Sequence, residues 1–127
     1  MTIFGVKNIK KKLKPMLPTL REKRRYLAFE IVSKSPIKAL QGVKKAIELS
    51  MLSFIGIKGA ANAGMIILED KYNPENQRGL IKVGHKYVDE LRASLALVKE
   101  IDGEPVIVKS VGASGIMKQA EARYIAS

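Results

Sequence analysis

Histidine occurs once in the chain, at position 85, and cysteine does not occur at all. No pair of imidazoles or thiolates can therefore gather around a metal ion within one copy. A lone histidine at a strand end is more often a surface or capping group than a general base. Glu69 and Asp70 are adjacent, and neighbours on a strand project to opposite faces, which suits them poorly to paired acid–base work. They read as solvating residues of a hairpin. Gly56, Gly59 and Gly64 match neither a phosphate-binding loop nor a dinucleotide fingerprint, and read as a turn after a helix. The residues that could do chemistry are cationic. Lys10, Lys11, Lys12, Lys14, Arg21, Lys23, Arg24 and Arg25, with Lys7, crowd the first 25 positions against the single acid Glu22. Of the formal net charge of +11, +8 lies in that stretch. A charge excess concentrated in one segment is the footprint of a polyanion partner, whose phosphates lysine and arginine neutralise. A solubilising surface mixes the two signs, as residues 26–127 do.

Those side chains need a scaffold, and 127 residues allow one ordinary domain with one modest core. The hydrophobic fraction of 46% is that of a globular chain. No apolar run approaches the roughly 20 residues of a membrane span, and no secretory signal opens the sequence. The absence of cysteine excludes a disulfide framework and makes the reducing cytoplasm the expected setting. Residues 1–20 read as a basic arm, interrupted by Pro15 and Pro18. Ile3, Phe4, Val6, Ile9 and Leu13 could line one face of a short membrane-surface helix, but Pro15 limits it to a few turns and no membrane partner is expected. Residues 21–127 read as a single domain.

Within that domain Tyr26–Val32 is a strand-type run rich in aromatic and branched residues. Ser35 and Pro36 supply a cap and a first-turn proline. The helix that follows places Ile37, Leu40, Val43, Ile47 and Met51 on one face. Met65–Glu69 and Gly79–Gly84 form a hairpin across a turn at Asn73, Pro74 and Asn76. A second helix covers about Tyr87–Ile101, with Tyr87, Leu91, Leu95, Val98 and Ile101 buried, and stops at Asp102–Gly103. Pro105 opens a last strand over Val106–Val111, and a short helix runs from Ser114–Gly115 to near Ile125. The order βαββαβ predicts an α+β fold, ferredoxin-like and similar to an RNA-recognition motif. It would have a four-stranded antiparallel sheet with both helices on one face.

Parity then sorts the first strand. Leu27, Phe29 and Ile31 face one way, Tyr26, Ala28 and Val32 the other. Apolar residues on both sides require a second cover, from the terminal segments or from another protein. In the third strand Gly79, Ile81 and Val83 read as the core side, while Arg78 and Lys82 share the opposite side. Together with Arg21–Arg25, and extended by Lys86 and Arg92, they are candidate phosphate contacts. For any one of them a solvated, aggregation-resistant edge is an equal reading. The third strand carries no aromatic for base stacking, and Phe29 and Tyr26 are commoner as core. Recognition of backbone and shape is therefore favoured over sequence readout.

Three segments, LREKRRYLAFEI (Leu20–Ile31), RGLIKV (Arg78–Val83) and VGASGIMKQA (Val111–Ala120), resemble the family of ribonuclease P protein component 2. This is the small subunit shared by archaeal and eukaryotic ribonuclease P. Ile116 stands where that family usually carries threonine. The resemblance implies a ribonucleoprotein that removes the 5′ leader of precursor tRNA, with magnesium-dependent hydrolysis performed by its RNA. The chain itself would bind no cofactor and contribute no catalytic group. It would bind and stabilise the ribonuclease P RNA, meet precursor tRNA indirectly, and pair with protein component 3 as a heterotetramer. Two other readings fit the expected fold: a small-molecule regulatory domain, with an apolar pocket and no use for a basic arm, and a subunit of another ribonucleoprotein. An autonomous nuclease does not fit the residue inventory.

Overall fold

The computed structural model describes residues 23–37 and 39–126. The predicted arm, with Lys10, Lys11, Lys12 and Lys14, lies outside the described residues, as does Arg21. Strand β1 (Arg24–Ser33) leads to helix α1 (Leu40–Ala63) and then to a hairpin of β2 (Ile66–Asn73) and β3 (Arg78–Gly84). A 3₁₀ turn (His85–Tyr87) feeds helix α2 (Val88–Ala96). A second hairpin, β4 (Glu100–Ile101) and β5 (Glu104–Ser114), is followed by helix α3 (Met117–Ala120) and a π-helical turn over Glu121–Ile125.

The fold is mixed α+β, and its sheet is antiparallel in the order β2-β3-β1-β5-β4. The expectation of four strands is corrected by β4, which pairs Glu100 with Pro105 and Ile101 with Glu104. The predicted second helix stops at Ala96, because the amides of Leu97 and Val98 turn back to the carbonyls of Ser94 and Leu95 and tighten its last turn. Asp102 and Gly103, both at positive φ (52° and 79°), then make a tight hairpin turn rather than a helix stop. Ile101 is buried as expected, but from a strand.

Helix α1 also departs from expectation at both ends. It begins at Leu40, not Pro36. The amide of Ile37 is held by the Gln77 side chain, with 2.6 Å between Ile37 N and Oε1, so this stretch packs as an extended lead-in with Ile37 buried. At the other end the helix runs on to Ala63. Gly59 is carried inside it, and only Gly56 breaks the helical path, with φ 78° and ψ 177°. Gly64 ends it in the left-handed conformation at φ 58°.

β1 sits at the centre of the sheet, between β3 and β5, which explains its unbroken apolar run. Leu27, Phe29 and Ile31 pack with Ile81 and Val83 of β3 and Val106 and Val108 of β5 against Val43, Ile47 and Met51 of α1 and Leu91 and Leu95 of α2. Full burial of each large side chain contributes about 1.5–3 kcal/mol. Phe29 stacks on Tyr72, with ring centroids 6.3 Å apart. The absence of a β-carbon at Gly79 makes room for both rings. The opposite face is closed by the chain itself: Ala28 and Leu80 are buried with Ala120 and Ile125, flanked by Tyr26, Leu68, Val111, Met117 and Tyr124. Of the two expected covers, the terminal segment provides this one.

Candidate nucleic-acid interface

β1 and β3 pair in a register that sets Tyr26 opposite Lys82, Ala28 opposite Leu80 and Glu30 opposite Arg78. Arg78 and Lys82 therefore share the face away from α1 and α2, as the parity predicts. They differ in what surrounds them. Arg78 Nε lies 3.4 Å from Glu30 Oε2, and its Nη1 donates to the Tyr124 carbonyl at 2.9 Å. Lys109 Nζ reaches the other oxygen of Glu30 at 3.3 Å. Arg78 thus ties the C-terminal segment to the sheet, and its charge is offset within the chain. Lys82, half-buried beside Tyr26, has no ion-pair partner among the described residues. Phe29 is fully buried and cannot stack a base.

At the start of β1 the basic cluster divides. Lys23 precedes the strand and is exposed. Its carbonyl accepts the His85 amide at 2.8 Å, with His85 Nδ1 3.2 Å from the same oxygen, so the histidine fastens the strand start to the 3₁₀ turn. Arg24 reaches across the sheet to the Gly64 carbonyl, 3.5 Å from Nη1. Arg25 points the other way, into a depression of about 530 Å³ that it lines with His85, Arg92 of α2, Ser114 at the end of β5, and Gly115 and Ile116 beyond it. A β-carbon on Gly115 would stand 3.0 Å from Arg25 Nη1, so the guanidinium lies close against that loop. Among the described residues no acidic residue lines the depression. Arg92 is shared with a second depression of about 440 Å³ that continues past Lys99 along β5, forming a basic groove between α2 and the sheet edge. Lys86 is exposed beside it but lines neither depression.

The fold thus joins Arg25 and Arg92, which the sequence separates by two strands and a helix, and adds His85, which sequence reasoning set aside as a surface or capping group. Its position directly after β3, the neighbour of β1, was the signal available. Arg78 and Lys82 stand apart from this group. Glu69 pairs with Lys44 of α1 at 3.6 Å rather than acting with Asp70. Among the described residues no cluster of three carboxylate, imidazole or thiolate side chains could hold a metal ion. No described helix is long and apolar enough to cross a membrane.

Comparison with known proteins places this geometry in context. The family model described as the Rpp14/Pop5 family matches residues 25–125. Ribonuclease P protein component 2 of Thermococcus gammatolerans is 37% identical over 118 residues, covering 93% of this chain and 96% of its own length. The protein of that name from Methanococcus vannielii is 33% identical over 115 residues, covering 89% of this chain and 83% of its own. Among solved structures, a chain of yeast ribonuclease MRP, determined by cryo-EM, is similar in fold with a TM-score of 0.58 at 16% identity, covering 75% of this chain and 76% of that one.

Proposed function

The chain belongs to the Rpp14/Pop5 family, and from that premise we propose that it is a protein subunit of ribonuclease P. In this reading it binds and stabilises the catalytic RNA that removes the 5′ leader from precursor tRNA. The observation that carries the reading is the convergence of Arg25, His85 and Arg92 from three elements on one depression that no acid among the described residues lines. A catalytic RNA must bring many phosphates close together, and their repulsion opposes that. A rigid domain presenting fixed cations lowers the cost and releases condensed counterions. Magnesium is held by the RNA, and no group of this chain enters the cleavage step. Set aside the two-residue β4, and the strand order β2-β3-β1-β5 supports the ferredoxin-like reading.

The expected protein partner is component 3, in a heterotetramer, working in the cytoplasm. Exposed Leu49, Leu52, Phe54 and Ile57 on α1 support a protein contact, since grouped apolar residues on a soluble surface mark an interface. One feature favours a small-molecule regulator instead: an apolar depression of about 410 Å³ at Val32, Pro105 and Ile107. Retention on RNA that falls steeply with salt separates the two readings. The deciding experiment replaces Arg21, Lys23, Arg24 and Arg25 with alanine in the reconstituted holoenzyme and follows cleavage against magnesium. The magnesium requirement rises if the cluster screens phosphates; an unchanged requirement removes the mechanism.

A further inference from the structure

We propose that the depression between α2 and the end of β5 seats one unpaired nucleotide of the bound RNA, with a backbone phosphate held between Arg25 and Arg92. The inference rests on the RNA-binding reading and sharpens it to one pocket and one kind of nucleotide.

Four features of the depression point there. Its cations, Arg25 and Arg92, come from β1 and α2, so they are fixed by separate elements of the scaffold, with His85 of the 3₁₀ turn beside them. Among the described residues the acid paired with them is Asp89, 3.6 Å from Arg92, with a side chain 92% exposed. A solvated one-point pair of this kind is easily exchanged for a phosphate, which arginine can engage through two donors. The wall beside the cations is apolar, formed by Val88, Ala113 and Ile116, the last 55% exposed. A bare anion has no use for such a wall, whereas a base or ribose adjoining the phosphate does. The volume, about 530 Å³, lies in the range of small-ligand pockets. A paired base cannot enter, because its edge is engaged and its faces are stacked within the helix; only a splayed nucleotide presents both phosphate and base to a pocket. The loop that forms the floor is held in shape by Ser114, whose Oγ accepts the Ile116 amide at 3.1 Å, and by Gly115, where a side chain would crowd Arg25.

The full-length protein is titrated into a labelled oligouridylate and into a blunt RNA duplex carrying the same number of phosphates. The R25Q/R92Q variant should lose about tenfold in affinity for the oligouridylate and under about threefold for the duplex. K23A/R24A, outside the pocket, should weaken both RNAs alike. Ile116→Glu, which places a carboxylate on the exposed wall, should reproduce the selective loss with an unchanged circular dichroism spectrum. Equal losses on both RNAs with R25Q/R92Q, or unaltered oligouridylate binding with Ile116→Glu, overturn the nucleotide seat and leave the general RNA-binding reading standing. Wild-type protein that retains neither RNA removes both.

Discussion

The ring of Tyr124 rests against the main chain of Gly112 and fills the space that any β-carbon at position 112 would take. Gly112 lies opposite Ala28 in β1, so this contact is what lays the C-terminal segment over the second face of the sheet. Gly112→Val should push the ring away, reopen the face over Ala28 and Leu80, and cost about 1–3 kcal/mol. A urea midpoint equal to that of the wild type would show that the segment is not seated by this contact.

Gln77 clips three parts of the chain together. Its Nε2 donates to the Ile31 carbonyl at 2.9 Å and to Ser33 Oγ at 3.2 Å, while its Oε1 accepts the Ile37 amide. It does so from a left-handed backbone, at φ 53°. Gln77→Ala should leave the half-buried amide of Ile37 unpaired and lower stability by about 1–3 kcal/mol. Hydrogen exchange at Ile37 should speed up selectively; exchange that stays slow there would mean another group holds that amide.

The hydroxyl of Tyr72 is buried without a hydrogen-bond partner among the described residues, and burial raises its pKa above the ordinary 10.0. Tyr72→Phe should therefore be neutral or stabilising by up to about 1 kcal/mol near pH 7. The sign with pH follows from proton counting. Above about pH 10 the unfolded phenol ionises while the folded one keeps its proton, so wild-type stability falls with rising pH. The variant lacks this loss, and its advantage should widen from pH 10 upward. A constant difference between about pH 8 and pH 11 would contradict the buried, unpaired placement.

Ile57 is 81% exposed on α1, beyond the break at Gly56. Ile57→Glu should change folding stability by less than about 0.5 kcal/mol yet weaken co-elution with component 3 on gel filtration. Unaltered co-elution, repeated with Leu49→Glu, would place the partner elsewhere.

Much of this architecture is legible in residue order. The buried stripe Val43, Ile47 and Met51, the alternation of Leu27, Phe29 and Ile31, and the hairpin at Asn73–Asn76 all follow from period and turn chemistry. The failures share a cause. Val98 and Ile101 continue the spacing of Leu91 and Leu95, and both are buried, but periodicity records burial without saying which element supplies it. The Asp102–Gly103 pair, a hairpin signature, held the missing information. Gly59 looks like a stop, yet Ala60, Ala61 and Ala63 around it favour helix strongly enough to carry it. The start of α1 could not be read locally, because a side chain 40 residues away holds Ile37. The same holds for the basic depression. Arg25 is visible within its cluster, but its partners His85 and Arg92 arrive only through strand register and the path of α2.

Beyond Val106 the outer edge of β5 has no strand beside it among the described residues, and Arg92 and Lys99 stand along the groove next to it. Two copies approaching rim to rim would meet as like charges before their main chains could zip together, a common guard against fibrils. That guard weakens as ions crowd in, since the screening length shrinks to about 3 Å at 1 M. Concentrated brine, the usual means of stripping nucleic acid from such a protein, therefore also removes its protection against aggregation.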